Sequence, residues 1–182
     1  MHPGVLCHGP DQYRRLVTTT GLRGLLRRVA AFLTPGRARR PQAKGRPDFH
    51  GTARIEYDPH PDGKADPGEI VWTWVPYEED ATQGKDRPVL VIGRDGPSLL
   101  ALMLTSKDHT RDPARELRHG RHWMDIGTGP WDARQRPSEV RLDRVLRVDP
   151  ERVRREGCVV DRRLFDSVVE AMAVIPPTRH PR

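Results

Sequence analysis

With 182 residues, of which 35% are hydrophobic and 31% charged, the chain holds enough sequence for one ordinary domain and an appendage, but not for a large core. Two cysteines, Cys7 and Cys158, exclude a disulfide framework or a cysteine zinc site, and the lack of a run of ~18 apolar residues or a signal-peptide pattern makes a cytoplasmic protein the expectation. The net charge of +7 is local: residues 1–50 carry ten Lys/Arg against two Asp/Glu, residues 51–66 two against four, and the remainder twenty against nineteen.

The basic arm divides in two. Within residues 1–34, Asp11 to Thr34 suits an amphipathic helix with Leu22, Leu25, Leu26, Val29 and Leu33 on one face. Gly21, Gly24 and the run Thr18-Thr19-Thr20 weaken its first half. Residues 35–66 are rich in Pro, Gly, Arg and Asp and poor in large apolar side chains, the composition of a flexible linker. Arg37, Arg39, Arg40, Lys44 and Arg46 would be attracted to a phosphate backbone without reading its sequence.

The domain is expected over 67–175, followed by a tail at 176–182. Ile70, Trp72 and Trp74 alternate with Val71, Thr73 and Val75, the period of a strand. After a polar loop, Val89 to Ile92 and Leu99 to Leu104 are apolar runs of strand length, the second closed by Thr105-Ser106. Lys107 to Arg121 reads as a charged loop with one helical turn near Ala114–Leu117, and His122 to Ile126 as a short strand. Glu139 to Leu142 and Arg144 to Val148 alternate like half-buried strands. Asp149-Pro150 predicts a helix running to Gly157, and Asp161 caps another carrying Leu164, Phe165, Val168, Val169 and Met172. The expected fold is mainly β with a C-terminal helix, an α+β chain built on a small SH3-like β-barrel.

This order of elements carries a resemblance. G-E-I-V-W, a loop, R-P-V-L-V-I and then L-T-S, followed by P-S-E-V-R-L-D-R-V-L-R-V-D-P-E-R-V-R-R-E-G from Pro137 to Gly157, resembles the PemK/MazF family of toxin–antitoxin ribonucleases over roughly Pro67 to Met172. The resemblance implies the barrel fold, a two-fold dimer and an antitoxin partner with an acidic disordered tail. It also implies metal-independent cleavage of single-stranded RNA at short motifs, leaving a 2′,3′-cyclic phosphate and a 5′-hydroxyl. A barrel of the related CcdB type, binding DNA gyrase or nucleic acid without catalysis, is the alternative.

The site follows residue by residue. By itself Arg87 has two readings, an ion pair with a neighbour such as Asp86 or a phosphate contact. The resemblance favours the second and matches Thr105 to the family's strand-end hydroxyl. Ser106 is its neighbour and possible substitute. A guanidinium suits phosphate because it stays charged and offers paired donors. Candidates for proton transfer are Glu78, Glu79 and Asp80 in the first loop and Asp108 and His109 after the Thr-Ser pair; His119 and His122 border the next strand. Some relatives carry a histidine in the first loop and this chain has none there. Trp72 and Trp74 suit the interior, whereas Trp123 and Trp131, beside turns, are the weaker RNA-contact candidates together with Lys85. No metal site or cofactor is expected.

Overall fold

The computed structural model describes residues 48–52, 54–109 and 111–175, with side chains throughout except at positions 155 and 156. The helix expected over Asp11–Thr34, Cys7, the linker up to residue 47 and the tail at 176–182 lie outside the described residues.

Seven strands among the described residues form one antiparallel sheet: β1 (Arg54–Ile55), β2 (Glu69–Pro76), β3 (Gly84–Asp95), β4 (Ser98–Thr105), β5 (Trp123–Gly127), β6 (Ser138–Val148) and β7 (Arg154–Val159). Their order is β5-β6-β4-β3-β2-β7, with β1 paired to β3. A six-residue helix, α1 (Pro113–Arg118), precedes β5, and α2 (Arg162–Ala173) follows β7. This is the mainly β fold with a C-terminal helix that the alternation implies. No helix among the described residues is long and apolar enough to cross a membrane.

The period of two sorts the strands into two faces. On one, Ile70, Leu90, Leu102, Leu104, Val140 and Leu142 bury against Phe165 and Val168 of α2. On the other, Val71, Val75, Val89, Val91, Ala101, Met103 and Leu146 form a second core. The register agrees with this division, since Leu90 pairs with Ile70 and Leu102 while Val89 pairs with Val71 and Met103. Helix α2 starts where expected because the Asp161 side chain accepts from the Arg163 N–H at 2.8 Å.

Two expectations change. The helix predicted from Pro150 to Gly157 is a single 3₁₀ turn, Pro150–Arg152, followed by strand β7. Asp149 does cap the turn, but no apolar face follows to hold a longer helix, and the chain instead completes the edge of β2. Gly157 permits that approach, because a Cβ there would overlap the Ile70 carbonyl. Within the segment read as a linker, residues from Asp48 onward rest on the sheet: the Phe49 N–H donates to the Val145 carbonyl at 2.8 Å, β1 pairs with β3, and the Tyr57 hydroxyl donates to the Val160 carbonyl at 2.9 Å. Phe49, Ile55 and Tyr57 supply the apolar surface that the Pro- and Gly-rich composition concealed.

Candidate active site

The second face of the sheet is polar at one end. β3 begins at Gly84, earlier than its apolar run suggests, so Arg87 lies within the strand and pairs with Thr73 of β2. The β3–β4 pairing ends at Val89–Met103; two more residues in the same register would set Arg87 opposite Thr105. A cavity of about 200 Å³ opens there, lined by Val75 and Met103 of the second core together with Arg87 and Thr105.

β6 supplies the remaining wall. Val140 and Leu142 face the α2 core, so Glu139 and Arg141 point to the opposite side, where Glu139 pairs with Thr105 and Arg141 with Trp123. Between Val140 and Val145 the β4–β6 register shifts, and the irregularity brings Asp143 beside Arg141 and Arg144 to the cavity. Bulges often re-aim side chains beside functional sites.

The four arginines lining the cavity differ in their partners. Arg141 is buried and donates to Glu78 through two hydrogen bonds of 2.7 and 2.9 Å, and to Asp143 from both Nε and a terminal nitrogen, the shortest at 2.7 Å. Burial alone would lower the pKa of Arg141, but its bonds to the Glu78 and Asp143 carboxylates raise it above the usual arginine value. Arg144 is held by Asp48 at 2.7 Å and by the Pro76 carbonyl, and Arg121 lies near Glu78, Glu79 and Glu116. Arg87 is different: among the described residues its guanidinium has no ion pair or hydrogen bond, and Asp86, its suspected partner, pairs with Arg154 at 3.2 Å. Thr105 is buried, and its Oγ1 accepts the Lys107 backbone N–H at 3.1 Å. That leaves the hydroxyl proton to donate.

The acid–base candidates separate in the same way. The hydrogen bond from Arg141 holds the Glu78 carboxyl below its usual range, which makes it a poor proton acceptor and a tie between the first loop and β6. Glu79 stands at the cavity edge, 3.5 Å from Arg121. Asp80 is outside it: bonds from the Thr82 hydroxyl and backbone and from Gln83 close the loop turn and lower its pKa. Ser106, Asp108 and Lys85 also lie outside the cavity wall; Asp108 pairs with Arg111, and the Lys85 ammonium stands over the Tyr77 ring. His109 lines the cavity, bonded through Nδ1 to Glu139 at 3.0 Å.

The tryptophans divide too. Trp123 is in the cavity wall, its ring stacked on His109 with centroids 3.9 Å apart, and its indole N–H donates to Glu116. Burial pushes the Glu116 carboxyl up, while this bond and the charge of Arg121 help to outweigh it and leave the carboxyl below its usual range. Trp131 is no surface platform: it is 1% exposed, and its indole N–H donates to the Ser138 hydroxyl. The Gly-Pro turn before it reads as surface, but Gly129 lacks the Cβ that would overlap the indole, so the ring folds inward.

Sequence reasoning missed Glu139, Arg141, Asp143 and Arg144. For the first three a signal was available: in S-E-V-R-L-D the charges Glu139, Arg141 and Asp143 alternate with Val140 and Leu142, in a strand otherwise built for a core. The family model of PemK-like, MazF-like toxins of type II toxin–antitoxin systems matches residues 66–175, the whole of this sheet from β2 onward with α2. A comparison with curated proteins finds no match. With well over half of its length matched, and with the sheet and the closing helix in place, the chain belongs to the PemK-like, MazF-like toxin family.

Proposed function

We propose that the protein is a metal-independent endoribonuclease, the toxin of a cytoplasmic type II toxin–antitoxin pair, working as a two-fold dimer. The observation that supports this reading is that the guanidinium of Arg87, without a partner among the described residues, lines one cavity with Thr105, in a site whose other arginines are all engaged.

Cleavage of RNA can use the substrate's own 2′-hydroxyl as nucleophile. Its attack on the adjacent phosphorus gives a pentavalent intermediate or transition state with added charge on the nonbridging oxygens. Arg87 supplies paired donors to those oxygens, and Thr105 adds a third through its hydroxyl. Departure of the 5′-oxygen leaves a 2′,3′-cyclic phosphate. The cavity's about 200 Å³ is small beside a nucleotide chain, so it receives the scissile phosphate and ribose while the bases lie across its rim. The antitoxin, with its acidic segment, would compete for the cation that RNA uses.

Replacing Arg87 with Ala tests the assignment. Loss of one such preorganised donor lowers kcat on the order of 10²–10³-fold in comparable sites, and a fall of that size is expected. Cleavage at the wild-type rate would contradict the role of Arg87. If wild-type protein leaves RNA intact but retains a gyrase subunit in a pull-down, the binding-protein alternative takes its place.

A further inference from the structure

We propose that His109 is the general base of this reaction and that Glu139 is the positioning residue that fixes its tautomer, an inference that rests on the ribonuclease reading above. Glu139 holds His109 at two points. Its carboxylate oxygens accept the His109 backbone N–H at 3.1 and 3.2 Å, and one of them meets ring Nδ1 at 3.0 Å. A carboxylate only accepts hydrogen bonds, so Nδ1 carries the proton and Nε2 of the neutral ring keeps its lone pair. Nε2 has no hydrogen-bond partner among the described residues.

The surroundings make this a built arrangement. His109 and Glu139 side chains are only 11% and 9% exposed, although His109 stands in a loop. Trp123 stacks on the imidazole at an interplanar angle of 4°, so the ring cannot swing without losing both the stack and the Glu139 bond. Glu139 sits directly opposite Thr105 in the β4–β6 ladder, which ties the pair to the strand end that carries the phosphate donor. Of the other carboxylates near the cavity, Glu78 and Asp143 are committed to Arg141 and Glu116 to the Trp123 indole, while Glu79 stands exposed, 3.5 Å from Arg121.

In the step, His109 Nε2 takes the proton of the 2′-hydroxyl as the 2′-oxygen forms its bond to phosphorus. The bond from phosphorus to the 5′-oxygen breaks, and the leaving oxygen takes a proton from water. The imidazolium is held by the Glu139 carboxylate and the Trp123 face until it returns its proton to solvent.

Two measurements on the full-length chain test this. Long-range ¹H–¹⁵N spectra, with His109 assigned by comparison with the His109→Gln variant, are expected to show the neutral ring protonated on Nδ1; a proton on Nε2 would overturn the proposal. Steady-state cleavage by Glu139→Gln, which keeps the shape and the acceptor but removes the charge, is expected to show kcat lowered about 10²-fold with KM unchanged. Wild-type kcat in that variant would overturn it as well. An RNA carrying sulfur in place of the 5′ leaving oxygen needs no protonation there, and His109→Gln should remain slow on it. Recovery on that substrate would make His109 the acid, contradicting its role as base. If the wild-type chain shows the Nδ1 tautomer yet cuts no RNA, the ribonuclease reading fails and the base assignment falls with it, whereas cleavage with the wrong tautomer sinks this inference alone.

Discussion

Arg87 and Arg141 line the same cavity, and their surroundings give one guanidinium two different uses. Arg141, buried between Glu78 and Asp143, has its donors filled and cannot leave without stranding carboxylates in the interior. Arg87 has no ion pair or hydrogen bond among the described residues, so its donors are open to the phosphate proposed above. The family resemblance could nominate Arg87 and Thr105, because R-P-V-L-V-I and L-T-S carry them in order. It could not rank Glu78 against His109, since the decisive facts are a partner on β6 for each, 63 and 30 residues away. The Glu78–Arg141 tie also sets a pH dependence. The carboxyl is held below its usual value of 4.5, so its stabilising contribution is complete above that value and is lost as pH falls through the lowered one. Glu78→Gln removes the ionisable partner. The wild type should therefore melt above the variant at neutral pH, and the gap should close as the pH is taken below about 4.5. A gap independent of pH would show that the tie does not stabilise the fold through its charge.

At the scale of elements, the alternation of Ile70 to Val75 and the apolar run of Leu99 to Leu104 were sufficient to read β2 and β4, because both faces of the sheet are buried and each strand must supply two cores. The same local logic fails over Pro150–Gly157. A good cap and a proline start a turn there, but the outcome was decided by the open edge of β2, a partner some 80 residues earlier that no local signal describes. Gly157 is the point where that long-range pairing depends on one side chain. Adding a methyl group at Gly157→Ala forces it against the Ile70 carbonyl, and overpacking of this kind destabilises by about 1–3 kcal/mol. Chemical denaturation should show that loss with an unchanged m-value; wild-type stability would mean that the β2–β7 approach is looser than described.

For the whole molecule, charge is segregated: the excess of basic residues lies in the first 50 positions, while the sheet domain is nearly neutral and holds several of its arginines, Arg141, Arg144 and Arg147 among them, in ion pairs. Composition alone placed the end of the arm near residue 66. Contacts of Asp48 with Arg144, of Phe49 with β6 and of Tyr57 with Val160 and Phe165 move the meaningful boundary to before Asp48. Deleting residues 1–47 should leave the melting temperature nearly unchanged, yet weaken non-specific nucleic-acid binding and flatten its salt dependence, as loss of phosphate-contacting cations requires. Deleting 1–66 should in addition lower the melting temperature by removing β1 and the Tyr57 contacts. Equal melting temperatures for the two deletions would contradict the docking of this segment.

The claim on which all three scales converge is that the cavity between β3, β4 and β6 breaks RNA by transesterification. End-group analysis of single-stranded RNA incubated with the purified protein in EDTA tests it most directly. The account predicts fragments bearing 2′,3′-cyclic phosphate and 5′-hydroxyl ends, formed by the wild type and on the order of 10²-fold or more slowly by Arg87→Ala. Intact RNA, or fragments with 5′-phosphate ends, would contradict it.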